Sequence, residues 1–269
     1  MTGNMHPATA PAETAYEAFA PFYDRFIAGS DYEAWTDSVE PVVRAHAPGR
    51  RLLDLACGTG QSTRPFQRRG YAVTGCDISD AMLARARERV PGARFGRGDL
   101  RELPRIGHFD ALTCFGDSLN YLTSDADLEA AFRSARRNLA PGGALVFDVN
   151  TLSAYRTTFA TDHVTDRDGV TFIWRGRASD TAPPGCTAEA TIDVLRPAAG
   201  GLCQVISTRH RQRHHPAAAI AALLARAGLE PVALLGVNHD GSLASEPDED
   251  RLLKTLHVAR PLKGGDPEC

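Results

Sequence analysis

The feature that most constrains the fold is a regular alternation of strand-like and helical runs that begins at residue 51. The apolar strand patterns cover residues 51–57, 72–78, 93–99, 109–116 and 143–149. The helical patterns cover residues 61–69, 79–90 and 123–139. Strands that alternate with helices at this spacing pair in parallel through crossover connections. The sequence therefore predicts an α/β protein with a doubly wound, mostly parallel sheet.

The segments on either side of residues 51–150 follow other patterns. Residues 1–13 are rich in Pro, Ala and Thr, which predicts disorder, and residues 14–46 are helical, with aromatic residues spaced by threes and fours. After residue 150, β-rich runs are separated by turn-forming clusters, a pattern typical of antiparallel hairpins. We expect residues 151–213 to form an antiparallel insertion over the mouth of the sheet. Residues 214–261 then supply a helix and the last strands of the core sheet.

Composition narrows the classes of partner. The 269 residues are 43% hydrophobic, enough for one large domain, and the net charge of −3 gives no electrostatic reason to expect nucleic acid or an anionic membrane. The six cysteines form no Cys-x-x-Cys pair, which argues against a zinc site and a disulfide scaffold. No His, Asp or Glu cluster has metal-ligand spacing. Because no apolar run has the length of a signal peptide or a membrane span, we expect a cytoplasmic protein.

A glycine loop joins the first predicted strand to the first helix. Its sequence, DLACGTG at residues 54–60, lets the backbone turn tightly and approach a ligand. Asp77 closes the second strand about 20 residues further on, where an acid in nucleotide-binding sheets accepts hydrogen bonds from ribose hydroxyls. Thr63 stands where a dinucleotide fingerprint has its third glycine, and no lysine completes a phosphate loop. The pattern predicts a nucleoside ligand without a pyrophosphate.

Five short motifs resemble those of the class I S-adenosylmethionine-dependent methyltransferases, which have a Rossmann-like fold. The resemblance covers residues 51–150 and keeps the family's order and spacing. The motifs are LDLACGTG at 53–60, DIS at 77–79, GDL at 98–100, FGDSLNY at 115–121 and LAPGG at 139–143. The resemblance implies an enzyme that takes a methyl group from S-adenosylmethionine.

The same resemblance implies roles for individual residues. Asp54 is expected near the amino group of the methionine moiety, Asp77 at the ribose, and Asp99 at the adenine amino group. Ile78 is expected to pack on the adenine ring. The cofactor-binding residues predicted in this way are Tyr16, Tyr23, Asp54, Ala56, Gly58, Gly60, Asp77, Ile78, Asp99, Leu100 and Phe115.

The segment YEAFAPFYD at residues 16–24 resembles the amino-terminal helix of small-molecule methyltransferases, including sugar N-methyltransferases of antibiotic pathways. In that group the helix covers the cofactor. The Asn-Pro-Pro-Tyr motif of nucleobase-amide and protein-glutamine methyltransferases is missing after the fourth strand. The resemblance thus implies a small-molecule acceptor in antibiotic biosynthesis, with no role for nucleic acid.

The acceptor site is less constrained than the cofactor site. His210 lies on the same strand face as Thr208 and Gln212 and is the candidate general base, whereas His163 lies in a predicted polar connector. The predicted substrate-binding residues are Asp117, Asn120, Tyr121, Tyr155, Trp174 and Arg175.

The sequence leaves several functions open. An amine acceptor needs only to be neutral, whereas a hydroxyl needs a base, so N-methylation and O-methylation are both candidates. A catalytically silent cofactor-binding module and an NAD-dependent dehydrogenase are the alternatives from other classes. The sequence does not distinguish a monomer from a homodimer.

Overall fold

The computed structural model of the protein describes residues 12–262. Its helices are α1 (Ala12–Phe26), α2 (Tyr32–His46), α3 (Thr63–Arg68), α4 (Asp80–Arg89), α5 (Asp125–Asn138), α6 (Leu152–Arg156) and α7 (Ala217–Arg226). Its strands are β1 (Arg51–Leu55), β2 (Ala72–Asp77), β3 (Arg94–Arg97), β4 (Phe109–Cys114), β5 (Leu139–Asn150), β6 (Asp162–Arg167), β7 (Val170–Gly176), β8 (Thr187–Pro197), β9 (Cys203–Arg213), β10 (Leu229–Val237), β11 (Leu243–Ala244) and β12 (Lys254–Pro261).

The central sheet has eight strands in the order β11-β10-β12-β5-β4-β1-β2-β3. The five strands β5, β4, β1, β2 and β3 are parallel to one another. Strand β12 pairs antiparallel with β5 and β10, and β11 pairs antiparallel with β10. This confirms the predicted α/β class with a doubly wound, mostly parallel sheet. The glycines of the LAPGG motif lie within β5, where the register against β4 shifts between Phe109 and Ala111.

Alternation along β1 shows how both faces of the sheet are covered. Leu52 packs on the face that carries Val39 and Val43 of α2, and Leu53 packs on the face of α5 and α7. Both leucines are fully buried, and each contributes about 1.5–3 kcal/mol by burial. Because side chains of a strand point to opposite faces in turn, a run apolar at every position requires helices on both sides.

The predicted antiparallel insertion is a separate four-stranded sheet in the order β6-β7-β8-β9. Helix α1 packs beneath it, with Phe19 and Phe22 against Phe172 and Val194. The placement of His163 in a polar connector is wrong, because it lies in β6. That edge strand is exposed along almost its whole length, so it has none of the apolar alternation that identifies a strand.

The amino-terminal predictions need two corrections. The predicted helical lid at residues 14–46 is two helices, because the chain leaves α1 at Phe26 and the Asp31 side chain caps α2 by accepting from two backbone N–H groups. Disorder was predicted for residues 1–13. Residues 1–11 lie outside the described residues, and Ala12 already belongs to α1. Within residues 12–262, no helix has the length and apolar character needed to cross a bilayer.

Candidate active site

Two cavities meet at the carboxyl ends of the parallel strands. One, of about 380 Å³, lies over the glycine loop after β1 and is called the cofactor cavity. The other, of about 500 Å³, lies beneath the cap sheet β6–β9 and is called the acceptor cavity. Their shared wall, called the junction, consists of Tyr16, Tyr23, Tyr32, Gly116 and Tyr121.

The glycine loop is shaped by two glycines that act differently. Gly58 has φ +54 and lines the cofactor cavity, and no atom lies within 4 Å of where its Cβ would be. Gly60 has φ +80 and faces α4, where a Cβ would meet Ala86 and Val90 at 3.1–3.3 Å. Gly60 therefore serves the turn and the close approach of α4, and it does not line the cavity as expected.

Asp77 is fixed in the wall of the cofactor cavity. Its carboxylate accepts the Gly58 N–H at 2.8 Å and the Ser79 N–H at 2.9 Å. Burial raises the pKa of this carboxyl, although the backbone N–H donors oppose that shift. A carboxylate has about four lone-pair positions, so two remain for hydroxyl donors of a ligand. This donor and acceptor pattern suits a ribose.

The rest of the cavity suits the remainder of a nucleoside. Ile78, Leu100 and Phe115 provide apolar walls, and the Asp99 carboxyl lies beside them. An ion pair with Arg101 lowers the pKa of Asp99 and keeps it an acceptor for an amino group. A cavity of this volume that combines apolar walls with convergent polar groups is typical of a small-molecule site.

Asp54 lies beneath the loop and does not line the cofactor cavity, so its expected contact with the cofactor stays a prediction. Its carboxylate is fully buried and accepts hydrogen bonds from Ser62 at 2.8 Å, Thr63 at 2.6 Å and Thr113 at 2.9 Å. Burial raises its pKa, and the three hydroxyls oppose that shift. Asp54 thus ties the loop to the start of α3 and to β4.

Helix α1 is held over the cofactor cavity by two carboxylates that the sequence patterns did not single out. Asp24 accepts the Thr59 hydroxyl at 2.6 Å and pairs with Arg89 at 2.7 Å. Glu17 accepts the Ser79 hydroxyl at 2.5 Å. The two acids are seven residues apart and lie on one helix face, a spacing the sequence could have shown. They join the lid to the loops after β1 and β2.

A charged cluster forms one side of the acceptor cavity. The Lys254 ammonium lies 2.8 Å from Asp117 and 2.7 Å from the buried Asp148. Burial opposes the charge on Lys254, but the two carboxylates outweigh it and raise its pKa. The second Asp117 oxygen accepts from the Gln212 amide at 2.6 Å. Lys254 and Gln212 were missed because nothing local in the sequence places them at this site.

His210 enters the acceptor cavity from β9, and both of its ring nitrogens are engaged. Nδ1 lies 2.9 Å from the Tyr121 hydroxyl, and Nε2 lies 3.0 Å from the Thr208 hydroxyl. Burial lowers the pKa of His210 to about 4, so the ring is neutral at physiological pH. Tyr16 in turn donates to Tyr121 at 2.9 Å.

The structure brings together most of the predicted site residues. Of the predicted substrate-binding residues, Asp117, Tyr121 and Trp174 line the acceptor cavity. Those predicted for the cofactor that line the cofactor cavity are Tyr16, Tyr23, Ala56, Gly58, Asp77, Ile78, Asp99, Leu100 and Phe115. The chain also contributes Tyr32, which no sequence pattern identified.

Three predicted substrate-binding residues lie outside the acceptor cavity wall. Asn120 is buried and holds backbone groups of Asn150 and Arg213. Tyr155 is buried under the cap, stacked on Phe159, and Arg175 pairs with Asp193 on the cap sheet. Their contacts with a substrate stay predictions. Helix and strand periodicity alone did not reveal which side of each element the cavity occupies.

Comparison with known proteins agrees with this geometry. The model of the methyltransferase domain family matches residues 52–143. A Bacillus subtilis (strain 168) protein, YqeM, which is named as a methyltransferase, is 36% identical over 169 residues, covering 61% of this chain and 67% of that protein. The chain belongs to the S-adenosylmethionine-dependent methyltransferases. The dehydrogenase and silent-module alternatives are thereby set aside.

Two further relatives are sugar-modifying enzymes. The Streptomyces venezuelae dTDP-3-amino-3,4,6-trideoxy-alpha-D-glucopyranose N,N-dimethyltransferase is 36% identical over 133 residues, which cover 48% of this chain and 56% of that enzyme. The sugar N-methyltransferase KedS8 from a Streptoalloteichus species has a similar structure, with a TM-score of 0.71 and 26% identity over 96% of this chain and 98% of that one. The sequence match to the first enzyme thus spans about half of its length.

The residues of the cofactor cavity fit S-adenosylmethionine, the cofactor of this methyltransferase. When bound, the cofactor supplies a methyl group activated by its sulfonium. Asp77 and Asp99 would supply acceptors for ribose and adenine, and Gly58 would leave room for the ligand beside the loop. Helix α1 covers the cavity and limits the access of water.

Proposed function

We propose that this methyltransferase methylates a neutral amine of a small molecule. The observation that carries the proposal is the composition of the junction. Among the described residues that line both cavities there are four tyrosines and Gly116, with no carboxylate and no histidine. Burial raises the pKa of the tyrosines, so the phenols stay protonated at neutral pH. An amine supplies its own lone pair and needs no base there.

The nearest titratable groups support the same conclusion. His210 is a weak base because its pKa is about 4, and both of its nitrogens are already hydrogen-bonded. Both oxygens of Asp117 are engaged by Lys254 and Gln212. A hydroxyl acceptor requires a base within hydrogen-bond reach, which these groups supply poorly.

The amine we propose belongs to an amino sugar of specialised metabolism. Support comes from the relatives that are named as amino-sugar N,N-dimethyltransferases and from the similarity to KedS8. The acceptor cavity, of about 500 Å³, has an aromatic wall that includes Trp174 and Phe172, suited to the apolar faces of a sugar.

The test is transfer of labelled methyl from S-adenosylmethionine to dTDP-3-amino-3,4,6-trideoxy-α-D-glucose, with dTDP-glucose as the hydroxyl control. We expect label in the amino sugar only, with a rate that rises with pH until the amine is deprotonated. Equal labelling of the hydroxyl control would contradict the proposal.

O-methylation is the second candidate, because the hydrogen bond between Tyr121 and His210 connects the junction to an imidazole. If His210 acted as a base through Tyr121, His210→Ala would reduce transfer to a hydroxyl by about 10²–10⁴-fold. Transfer to an amine would fall by about tenfold at most. The two functions are therefore separated by one variant assayed on two acceptors.

A further inference from the structure

The hydroxyl groups at the junction belong to a hydrogen-bond chain with a defined direction. At its far end, the Thr208 hydroxyl donates to the backbone carbonyl of Ile192 at 3.4 Å. With its one proton directed at Ile192, Thr208 accepts from His210, and this assignment, which agrees with the Tyr16 hydroxyl donating to Tyr121 at the other end, places the imidazole proton on Nε2. Nδ1 then carries a bare lone pair and accepts from Tyr121.

The direction continues to the junction. Because the Tyr121 proton is committed to His210, the Tyr121 oxygen accepts at 2.9 Å from the Tyr16 hydroxyl. Gln212 is oriented consistently, since its carbonyl oxygen accepts from Asn150 and its amide donates to Asp117. Both phenol protons thus point along the chain toward His210. The Tyr121 oxygen already accepts from Tyr16 and Gln212, so the Tyr16 oxygen is the one that can accept from a ligand.

We infer that His210 is a positioning residue that keeps the phenol protons of Tyr16 and Tyr121 away from the nucleophilic nitrogen of the acceptor. The inference rests on the proposed amine function. A neutral amine has one lone pair, and a phenol that donated to it would have to release it before the methyl could be attacked. An oxygen that only accepts, as that of Tyr16 does here, takes an N–H of the amine instead and leaves the lone pair free.

The chain direction is tested first, because that test needs no acceptor. Nitrogen-15 NMR of the histidine-labelled protein distinguishes the two neutral tautomers of a ring. We expect His210, assigned by comparison with His210→Asn, to be the Nε2–H tautomer at pH 7. An Nδ1–H tautomer would overturn the inference whatever the enzyme methylates.

The kinetic test uses the amino-sugar probe of the preceding section. His210→Leu removes the acceptor for Tyr121, and we expect kcat to fall about tenfold with a smaller change in KM. His210→Asn returns an oxygen near the position of Nδ1 and is expected to recover most of that loss. In a Tyr16→Phe/Tyr121→Phe background neither phenol proton of the hydrogen-bond chain remains, so His210→Leu should change kcat by less than twofold. A tenfold loss in both backgrounds would overturn the inference.

His257→Leu is the matched control for burial. His257 is also buried, and its Nε2 contacts Thr255, two residues earlier on the same strand, as Nε2 of His210 contacts Thr208. It stacks on Phe147 and lines neither cavity. The His257→Leu variant should have a lower melting temperature without the loss of kcat expected for His210→Leu. If no amine is methylated but the tautomer is Nε2–H, the proposed function fails while the direction of the hydrogen-bond chain stands. The role assigned to His210 in amine methylation is then overturned.

Discussion

The two sides of the junction are built in different ways. On the cofactor side, residues close together in the sequence form the site, because the loops after β1 and β2 place Gly58 and Asp77 in contact. On the acceptor side, Asp117 meets Gln212 and Lys254, which come from the cap sheet and from β12. A site made of local loops is specified by short motifs, whereas a site made of distant side chains depends on how the elements pack.

The largest effect that tests this comparison is acid destabilisation by buried histidines. Burial lowers the pKa of His210, His215 and His257 to about 4, against an ordinary value near 6.5. Between these values the unfolded chain binds more protons than the folded one, so stability is complete above pH 6.5 and is lost as pH falls toward 4. Each group contributes about 3 kcal/mol over that window.

Urea unfolding between pH 7 and pH 4.5 measures this loss. His257 reports on the central sheet, and His210 reports on the acceptor side. Replacing either by Gln or Asn should flatten the pH dependence by a similar amount. A wild-type unfolding free energy that stayed constant from pH 7 to pH 5 would show that these rings are not buried in the neutral form.

Lys254→Met is expected to be the most harmful single substitution on the acceptor side. It leaves Asp117 and the buried Asp148 without their cation, which costs about 3 kcal/mol of unfolding free energy. Lys254→Arg keeps the charge and is the matched control. The acceptor KM should rise while S-adenosylhomocysteine binding, measured by calorimetry, stays within twofold. If binding of the acceptor and binding of S-adenosylhomocysteine weakened equally, the two cavities would be energetically coupled.

Asp77→Ala tests the cofactor side alone. It removes the acceptor of two backbone N–H groups and of the expected ribose hydroxyls. We expect S-adenosylhomocysteine to bind at least tenfold more weakly, which is about 1.4 kcal/mol. Asp77→Asn, which keeps one carbonyl acceptor, should lose less affinity for S-adenosylhomocysteine. Unchanged binding in the alanine variant would remove Asp77 from the cofactor site.

Arg175→Ala is expected to have the smallest effect. Its partner Asp193 lies on the neighbouring strand, and the Arg175 side chain is about one-third exposed, at 34%. Partly exposed ion pairs contribute little to stability, and neither residue lines the acceptor cavity. Steady-state kinetics should change by less than twofold. A tenfold rise in KM would return Arg175 to the acceptor site.

Most of the cofactor side was predictable from the sequence. The glycine loop and Asp77 were identified because the path of a loop between a strand and a helix depends on residues next to one another. The position of Asp54 below the loop was not predictable, because an acid that binds a ligand and an acid that binds neighbouring hydroxyls have the same local pattern. Only the positions of Ser62, Thr63 and Thr113 reveal the difference.

The acceptor side was predictable only in part. Asp117, Tyr121 and His210 were identified, but Lys254 and Tyr32 were not, and Tyr155 does not line the acceptor cavity. Periodicity predicted that Thr208, His210 and Gln212 share one face of β9, and the structure buries these three side chains. It could not predict which residues of other elements meet that face.

The sequence by itself determined the class of fold, the cofactor and the loops that hold it, because alternating apolar runs and a glycine loop act over a few residues. Tertiary structure alone decided the chemistry of the junction. Helix α1, the loop after β4 and strand β9 bring Tyr16, Tyr121 and His210 together from positions up to 194 residues apart. The direction of that hydrogen-bond chain depends on each partner having one proton to give, and only packing determines who the partners are.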